Sequence, residues 1–139
     1  MSLRHRDVAI DEVPPDAVAD AVGVLEAAML EVDPGRVRTL AGGEADGAVL
    51  AATAADRADG PAAGVVLGAL VLDGRTIEAL AVRPRRRDQG IGSALVRAAR
   101  DRAGGPVDAA FDARLRPFYE RLGFTIEPVA GTRYRGRLD

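Results

Sequence analysis

Much of the structural information in this chain lies in Leu80-Ala-Val-Arg-Pro-Arg-Arg-Arg-Asp-Gln-Gly-Ile-Gly-Ser-Ala-Leu95. An apolar run predicts a strand, an arginine-rich loop follows it, and two glycines then open an amphipathic helix. The first backbone N–H groups of a helix have no partner inside the helix, and the helix dipole makes that end positive. Arginine side chains bind phosphate through paired hydrogen bonds. The pattern therefore predicts a strand–loop–helix unit that binds a pyrophosphate group.

Two common nucleotide-binding loops do not match these glycines. A dinucleotide fingerprint needs a third glycine where this chain has Leu95, and a triphosphate loop needs Gly-Lys-Ser/Thr, whereas the chain contains no lysine. What remains is Arg87-x-x-Gly90-x-Gly92, preceded by Val82-x-Pro84. An ordinary strand–helix turn with solvated arginines is the alternative. The strand, the proline and the amphipathic helix around the glycines favour the binding loop.

A second motif, Pro117-Phe-Tyr-Glu-Arg-Leu-Gly-Phe124, follows the next predicted strand. Phe118, Leu122 and Phe124 are spaced as core residues of an amphipathic helix. Tyr119 differs, because a partly buried phenol usually directs its hydroxyl to a polar partner. The two motifs in this order resemble those of the GNAT family of N-acetyltransferases, and the resemblance covers residues 48–124.

The resemblance implies an α/β (α+β) fold with a mixed, mostly antiparallel sheet flanked by helices, in which two parallel strands splay apart. The pantetheine arm of acetyl-CoA would lie in that gap, against the main chain of Leu80, Ala81 and Val82. The loop that would bind its pyrophosphate consists of Arg87, Asp88, Gln89, Gly90, Ile91, Gly92 and Ser93. The family often has an asparagine where this chain has Asp112, and an ionised aspartate accepts hydrogen bonds but donates none. A cofactor contact by Asp112 therefore stays open.

The resemblance also implies direct attack of an amine on the thioester. Tyr119 would lie near the sulfur and donate a hydrogen bond or a proton to the departing thiolate. A backbone N–H of the splayed strand, that of Val82, would polarise the thioester carbonyl. With no cysteine in the chain, no covalent thiol intermediate is expected.

An ammonium acceptor must lose a proton, so the reaction calls for a base. Glu78 is the candidate, because its charge interrupts an otherwise apolar strand. Strand alternation predicts that Glu78 shares a face with Thr76 and Leu80. A solvent-facing or salt-bridged glutamate is the alternative, and Glu120 and Asp108 are weaker candidates for the base.

Composition limits the other classes of function. The 139 residues are enough for one domain, 1–139, with 47% hydrophobic and 29% charged residues. A net charge of -2 gives no global field that attracts nucleic acid or an anionic membrane. The chain has no cysteine, and its one histidine, His5, lies in a polar N-terminal segment where a solvated tail is expected. A histidine-based hydrolase triad and a Cys/His zinc site are therefore excluded, and no metal is expected.

The remaining elements are read from periodicity and from turn residues. Strands are predicted at residues 6–13, 48–54, 63–72, 76–82, 107–111, 124–128 and 133–138. Helices are predicted from an Asp16 N-cap to residue 31, at 90–102 and from Pro117 to a stop at Gly123, with a short helical turn at 36–40. Asp33-Pro34-Gly35 is interpreted as a break between helices.

The sequence thus predicts an acetyl-CoA-dependent N-acetyltransferase that acts on an amine of a small molecule or peptide. A catalytically inactive acyl-CoA-binding sensor and a regulatory subunit remain as alternatives. The N-terminal segment shows no secretory signal, so a cytoplasmic protein is expected. Neither the acceptor nor the oligomeric state follows from the sequence, although dimers are common on this fold and a homodimer is left open.

Overall fold

The computed structural model describes residues 3–5, 8–28, 30, 32–54, 66–84 and 90–139. Its strands are β1 (Leu3–His5), β2 (Val8–Glu12), β3 (Ala48–Ala54), β4 (Val66–Asp73), β5 (Thr76–Val82), β6 (Val107–Asp112), β7 (Thr125–Ala130) and β8 (Arg133–Leu138). Its helices are α1 (Ala19–Ala27), α2 (Pro34–Ala41), α3 (Ile91–Ala103) and α4 (Arg116–Arg121).

The strands form one sheet of eight strands in the order β1-β2-β3-β4-β5-β6-β8-β7, counted over the described ranges. All neighbouring pairs are antiparallel except β5 and β6, which run parallel because α3 forms the crossover between them. The mixed, mostly antiparallel sheet expected from the sequence is therefore confirmed. It places the ends of β5 and β6 beside the start of α3.

Helices cover both faces of the sheet and bury two apolar clusters. On one face, α3 inserts Ile91, Leu95, Val96 and Ala99, each at most 2% exposed, as its periodicity predicts. On the other face, α1 and α2 bury Val22, Leu25, Val37 and Leu40 against β3, β4 and β5. The two clusters hold β5 between layers, so its backbone is fixed where the site lies.

The N-terminal helices begin at other residues than those predicted. Asp16 is not an N-cap: it lies within a 3₁₀ turn at Pro15–Ala17, and α1 continues from it and ends at Ala27. Pro14 holds the extended conformation that a cap needs but has no acceptor in its side chain. Asp33 is the true cap, because its carboxylate accepts from the Gly35 N–H at 2.9 Å and Pro34 is the first residue of α2.

The N-terminal end of the sheet also differs from expectation. Backbone pairing of His5 with Val8 makes the predicted tail a short strand, β1, at the sheet edge. The predicted strand at 6–13 is shorter in the structure, where β2 begins at Val8. Residues 29, 31 and 55–65, which carry the predicted end of the first helix and part of one strand, lie outside the described residues.

A β-bulge interrupts β5 at Glu78. Leu72 pairs with Ile77 and Val71 pairs with Ala79, so Glu78 is the extra residue on its strand. The alternation is consequently shifted: Ile77 and Leu80 join the cluster under α3, whereas Ala79 joins the cluster under α1 and α2. The predicted face shared by Glu78 and Leu80 is wrong, because the bulge turns the Glu78 side chain toward α2.

Candidate active site

The parallel strands β5 and β6 are paired at one end only. Their register consists of Thr76 with Asp108 and Ile77 with Ala109, and the Thr76 hydroxyl donates to the Asp108 carboxylate at 2.9 Å. Beyond Ile77 no further pairing of β5 with β6 is found among the described residues. The sheet is therefore splayed as predicted, and the gap opens toward the ends of both strands.

Two cavities lie along this gap. The larger, about 480 Å³, is lined on one side by Glu78 and Leu80 of β5 and on the other by Phe111, Asp112 and Tyr119. The smaller, about 190 Å³, is lined by residues of β5 and of the segment around α4, namely Leu80, Ala81, Val82, Leu115, Pro117 and Phe118. The three β5 residues predicted to contact a cofactor thus share one cavity, and the two predicted catalytic residues share the other.

Tyr119 lies at the centre of an aromatic cluster. Its side chain is 3% exposed, its ring stacks on Phe111 at 4.1 Å, and Phe118 and Phe124 meet it edge-on. Within the described part of the chain its hydroxyl makes no hydrogen bond, although it lines the larger cavity. Burial raises the pKa of Tyr119 well above its ordinary value, so the hydroxyl stays protonated and able to donate.

Glu78 lies in an ion-pair network with α2. Arg36 donates from Nε to Glu78 Oε1 at 2.9 Å and from Nη2 to Glu78 Oε2 at 2.7 Å. The same Nη2 also contacts Asp73 Oδ2 at 2.7 Å. These two carboxylates raise the pKa of Arg36, with Glu78 the larger contributor. Glu78 therefore matches the salt-bridged alternative, and it still lines the larger cavity.

A third cavity, about 250 Å³, lies on the α2 side of Glu78. It is lined by Arg36 and Val37 of α2, Val71 of β4, and Ala79. Since Glu78 lines this cavity and the larger one, its carboxylate stands between the gap and the surface of α2.

Asp112 ends β6 and caps the turn that leads into α4. One carboxylate oxygen accepts from the Arg114 N–H at 3.0 Å, and the other accepts from the Thr132 hydroxyl at 3.0 Å. These bonds, the Arg114 N–H first, hold the pKa of Asp112 below its usual value. The Asp112 side chain thus positions the cavity wall, whereas its contact with a cofactor stays a prediction.

We expect Asp112→Asn to change the response of the protein to acid. A carboxylate whose pKa is lowered by folding stabilises the fold at pH values above its ordinary pKa of 3.8. This contribution disappears as the pH falls through the lowered pKa of the folded state. The midpoint temperature of thermal unfolding should therefore fall less steeply between about pH 5 and pH 2 in Asp112→Asn than in the wild type. This is the pH range over which a hydrogen-bonded aspartate typically takes up its proton. Asp11→Asn, at an exposed position on β2, is the control and should follow the wild-type curve.

The start of α3 provides the geometry predicted for an anion site. Gly90 precedes the helix with φ of 81°, a left-handed conformation that glycine adopts without strain. The first N–H with a partner inside the helix is that of Ala94, so those of Ile91, Gly92 and Ser93 point out of the helix end. No side chain caps this end in the described residues. Arg87, Asp88 and Gln89 lie outside the described residues.

Gly92 is also a packing residue. A Cβ built at this position would lie 3.3 Å from Leu122 Cδ2 and 3.6 Å from Phe118 Cζ. The second motif thus packs directly on the second glycine of the first, which brings α4 and Tyr119 beside the start of α3. The glycine motif predicted a phosphate contact at Gly92, and no local pattern in the sequence indicated this packing role.

Three arginines of the site, Arg36, Arg114 and Arg133, were not predicted from the sequence. Arg36 is far from Glu78 in the sequence, and no local pattern connects them. Arg133 lines the larger cavity because β8 pairs with β6, placing Arg133 opposite Asp112. The alternation of exposed arginines at 133, 135 and 137 was visible in the sequence, but the pairing that brings one of them to the gap was not.

The described residues contain neither a cluster of metal ligands nor a membrane-spanning helix. No group of three or more potential metal ligands occurs in the described part of the chain. Among the same residues, no helix has both the length and the apolar character to cross a membrane.

Comparison with known proteins agrees with this geometry. A family model described as an acetyltransferase (GNAT) domain matches residues 45–126, which is more than half of the chain. A search of curated proteins finds no match.

Solved structures share the fold at low sequence identity. A GNAT-family protein from Desulfovibrio desulfuricans is 23% identical with a TM-score of 0.68, over 95% of this chain and 98% of that one. The GNAT domain of S. lividans PAT is 15% identical with a TM-score of 0.71, over 100% and 96%. NAA60 from Arabidopsis thaliana, crystallised with acetyl-CoA, is 14% identical with a TM-score of 0.66, over 94% and 97%.

Proposed function

Because the chain belongs to the GNAT family of acetyltransferases, we propose that it transfers an acetyl group from acetyl-CoA to the nitrogen of an amine. The observation that carries the proposal is the gap between β5 and β6, where Glu78 and Tyr119 line one cavity and Leu80, Ala81 and Val82 line the next. A donor thioester in the gap would have a carboxylate and a phenol within the same cavity.

In this proposal β5 and α3 bind the two ends of the cofactor. The splayed part of β5 offers main-chain groups to the pantetheine amides, and the N–H groups at the start of α3 bind the pyrophosphate. Gly90, Ile91, Gly92 and Ser93 contribute main chain, while Arg87, Asp88 and Gln89 complete the loop. The acetyl-CoA bound to NAA60 supports this cofactor for a chain with the same fold.

Tyr119 is the proposed general acid. Its raised pKa keeps the proton on the hydroxyl at neutral pH, and stacking on Phe111 holds the ring in place beside the larger cavity. When the amine attacks and the C–S bond breaks, the thiolate takes that proton, and the hydroxyl is restored from solvent. The backbone N–H of Val82, a residue that lines the smaller cavity, would polarise the carbonyl.

Glu78 is the proposed base, and Arg36 controls it. Both carboxylate oxygens are bonded to Arg36, so Glu78 can take a proton from an ammonium only when one of these bonds is exchanged for the acceptor. The exposed position of the pair makes this exchange inexpensive, since surface ion pairs contribute about 0–1 kcal/mol.

Calorimetric titration of the purified protein with acetyl-CoA tests the proposal, with NAD and ATP as controls. Selective binding is expected, and a ligand at a hundred times its Kd should add about 2.7 kcal/mol of stability. Detection of free thiol with a panel of amines then tests transfer. Absence of binding by acetyl-CoA and by longer acyl-CoAs would contradict the proposal.

A sensor that binds acyl-CoA without turnover is the second candidate. The bidentate pair with Arg36 favours it, because both oxygens of the candidate base are already bonded within the protein. Binding without release of thiol, over the whole amine panel, would support the sensor over the enzyme.

We expect Tyr119→Phe to lower turnover while preserving acetyl-CoA binding. The hydroxyl makes no hydrogen bond in the described residues, so its removal leaves the stacking on Phe111 and the fold unchanged. Loss of a general acid should reduce kcat by roughly a hundredfold or more. Tyr134→Phe, a second tyrosine of the same cluster that lines neither cavity, is the control and should turn over normally. Equal kcat in Tyr119→Phe and wild type would remove the tyrosine from the mechanism.

A further inference from the structure

We infer that the acceptor carries an anionic group besides its amine, and that Arg133 binds this group. The inference rests on the proposed function and names the class of acceptor. It starts from the larger cavity, which Glu78, Tyr119 and Arg133 line together.

Arg133 is placed to meet a ligand. It is the first residue of β8, it is exposed, and it lies beside the end of β6. It makes no ion pair with any residue that the structure describes. The face of β8 that carries Arg133 points away from the core, because Tyr134 and Leu138 pack on the cluster beneath α3. A solute in the cavity can therefore reach the guanidinium directly.

The two carboxylates that line the larger cavity are hydrogen-bonded to other groups. Asp112 lies opposite Arg133 in the strand register, but its two oxygens are occupied by the Arg114 N–H and the Thr132 hydroxyl. Glu78 is bonded at both oxygens by Arg36, which approaches from the α2 side of β5. Asp112 acts on Arg133 through its charge from the neighbouring strand but does not bond to it, so among the described residues the donors of the Arg133 guanidinium remain available to an anionic group in the cavity.

The phosphates of the cofactor do not account for Arg133. The smaller cavity follows β5 through Ala81 and Val82, toward the end of the strand that precedes α3, and Arg133 does not line it. The N–H groups proposed for the pyrophosphate lie at that end. The larger cavity extends instead from Leu80 across to β8, so an anion at Arg133 belongs to the second substrate.

An acceptor of this class places its amine near Glu78 and Tyr119 and its anionic group on Arg133. A volume of about 480 Å³ suits a small molecule together with the acetyl end of the donor. A carboxylate matches the planar guanidinium through two hydrogen bonds, and a phosphate does so as well. A free amino acid is the simplest molecule with both groups, and an amino phosphate ester is the other.

The inference is tested with pairs of acceptors that differ mainly in charge. Release of CoA is measured with the amino acids, with the corresponding amino-acid amides, and with phosphoethanolamine against ethanolamine. The wild type should acetylate a carboxylate or phosphate acceptor with a kcat/KM at least roughly tenfold above that of its neutral partner, as expected for a charged hydrogen bond. The better of the two anionic arms identifies the group.

Arg133→Gln should lose roughly tenfold to a hundredfold in kcat/KM for the anionic acceptor, mainly through KM, and nothing for the neutral one. Arg133→Glu should reverse the preference. Arg135→Gln, an exposed arginine two residues along β8, is the matched control and should behave as the wild type.

Two outcomes would overturn the inference in different ways. Equal turnover of anionic and neutral amines, unchanged in Arg133→Gln, would overturn it and leave the proposed function intact. Failure to acetylate any amine while acetyl-CoA is bound would overturn the proposed acetyl transfer. This outcome is distinct from the first because turnover would be absent for anionic and neutral amines alike.

Discussion

Gly92→Glu is expected to abolish acetyl-CoA binding in calorimetric titration. A carboxylate at this position would add a negative charge to the first turn of α3, close to the anion proposed for that helix end, and would offset the positive end of the helix dipole. The structure adds a steric effect, because a Cβ at position 92 meets Leu122 Cδ2 at 3.3 Å and Phe118 at 3.6 Å. Overpacking of this kind costs about 1–3 kcal/mol, so thermal unfolding should occur at a lower temperature.

Two variants separate charge from packing. Gly92→Ala adds only the methyl group that presses on Leu122, so it should lower stability slightly and weaken acetyl-CoA binding far less than Gly92→Glu. Gly23→Glu introduces the same charge on α1, where a Cβ would meet nothing within 4 Å, and should bind normally. Normal acetyl-CoA binding by folded Gly92→Glu would show that the phosphate loop has been assigned to the wrong segment.

The strand–loop–helix unit was predictable because local chemistry specifies it. Gly90 needs a left-handed conformation, and the apolar period after it matches one face of a helix, so α3 begins within a residue of its prediction. The following strand, Pro117 in the first turn of α4 and Gly123 after that helix are likewise local signals. Together these signals predict that α3 crosses over between β5 and β6, and such a crossover makes the two strands parallel.

The environment of Glu78 was not predictable in the same way. Alternation along β5 assumes a regular ladder, and the bulge that breaks it depends on how Leu72 and Val71 pair across the sheet. The partner Arg36 arrives on α2, whose own start was misplaced because Asp33-Pro34 was interpreted as a break. Contacts between distant segments depend on packing, which one sequence does not encode in any local pattern.

Glu78→Gln is expected to lower kcat/KM by roughly a hundredfold at neutral pH, the contribution typical of a general base. Acetyl-CoA binding should be unchanged, because the main chain of β5 is retained. The loss should shrink as the pH rises toward the pKa of the acceptor amine, since an amine that is already neutral no longer needs a base. Initial rates of thiol release between about pH 6 and pH 10 measure this. The range includes the ordinary pKa of an α-amino group, about 7.7–8.0, and approaches that of a lysine amine, about 10.4.

A purely structural role of Glu78 gives a different result. In that case Glu78 acts only as the anchor of Arg36, and Arg36→Gln should reproduce the loss at every pH. If Glu78 is the base, Arg36→Gln frees its carboxylate and retains transfer, because the bidentate pair no longer competes with the acceptor. Asp73→Asn is the matched control, since Asp73 binds the same guanidinium at 2.7 Å but lines none of the three cavities. Full activity of Glu78→Gln at neutral pH would exclude this carboxylate as the base.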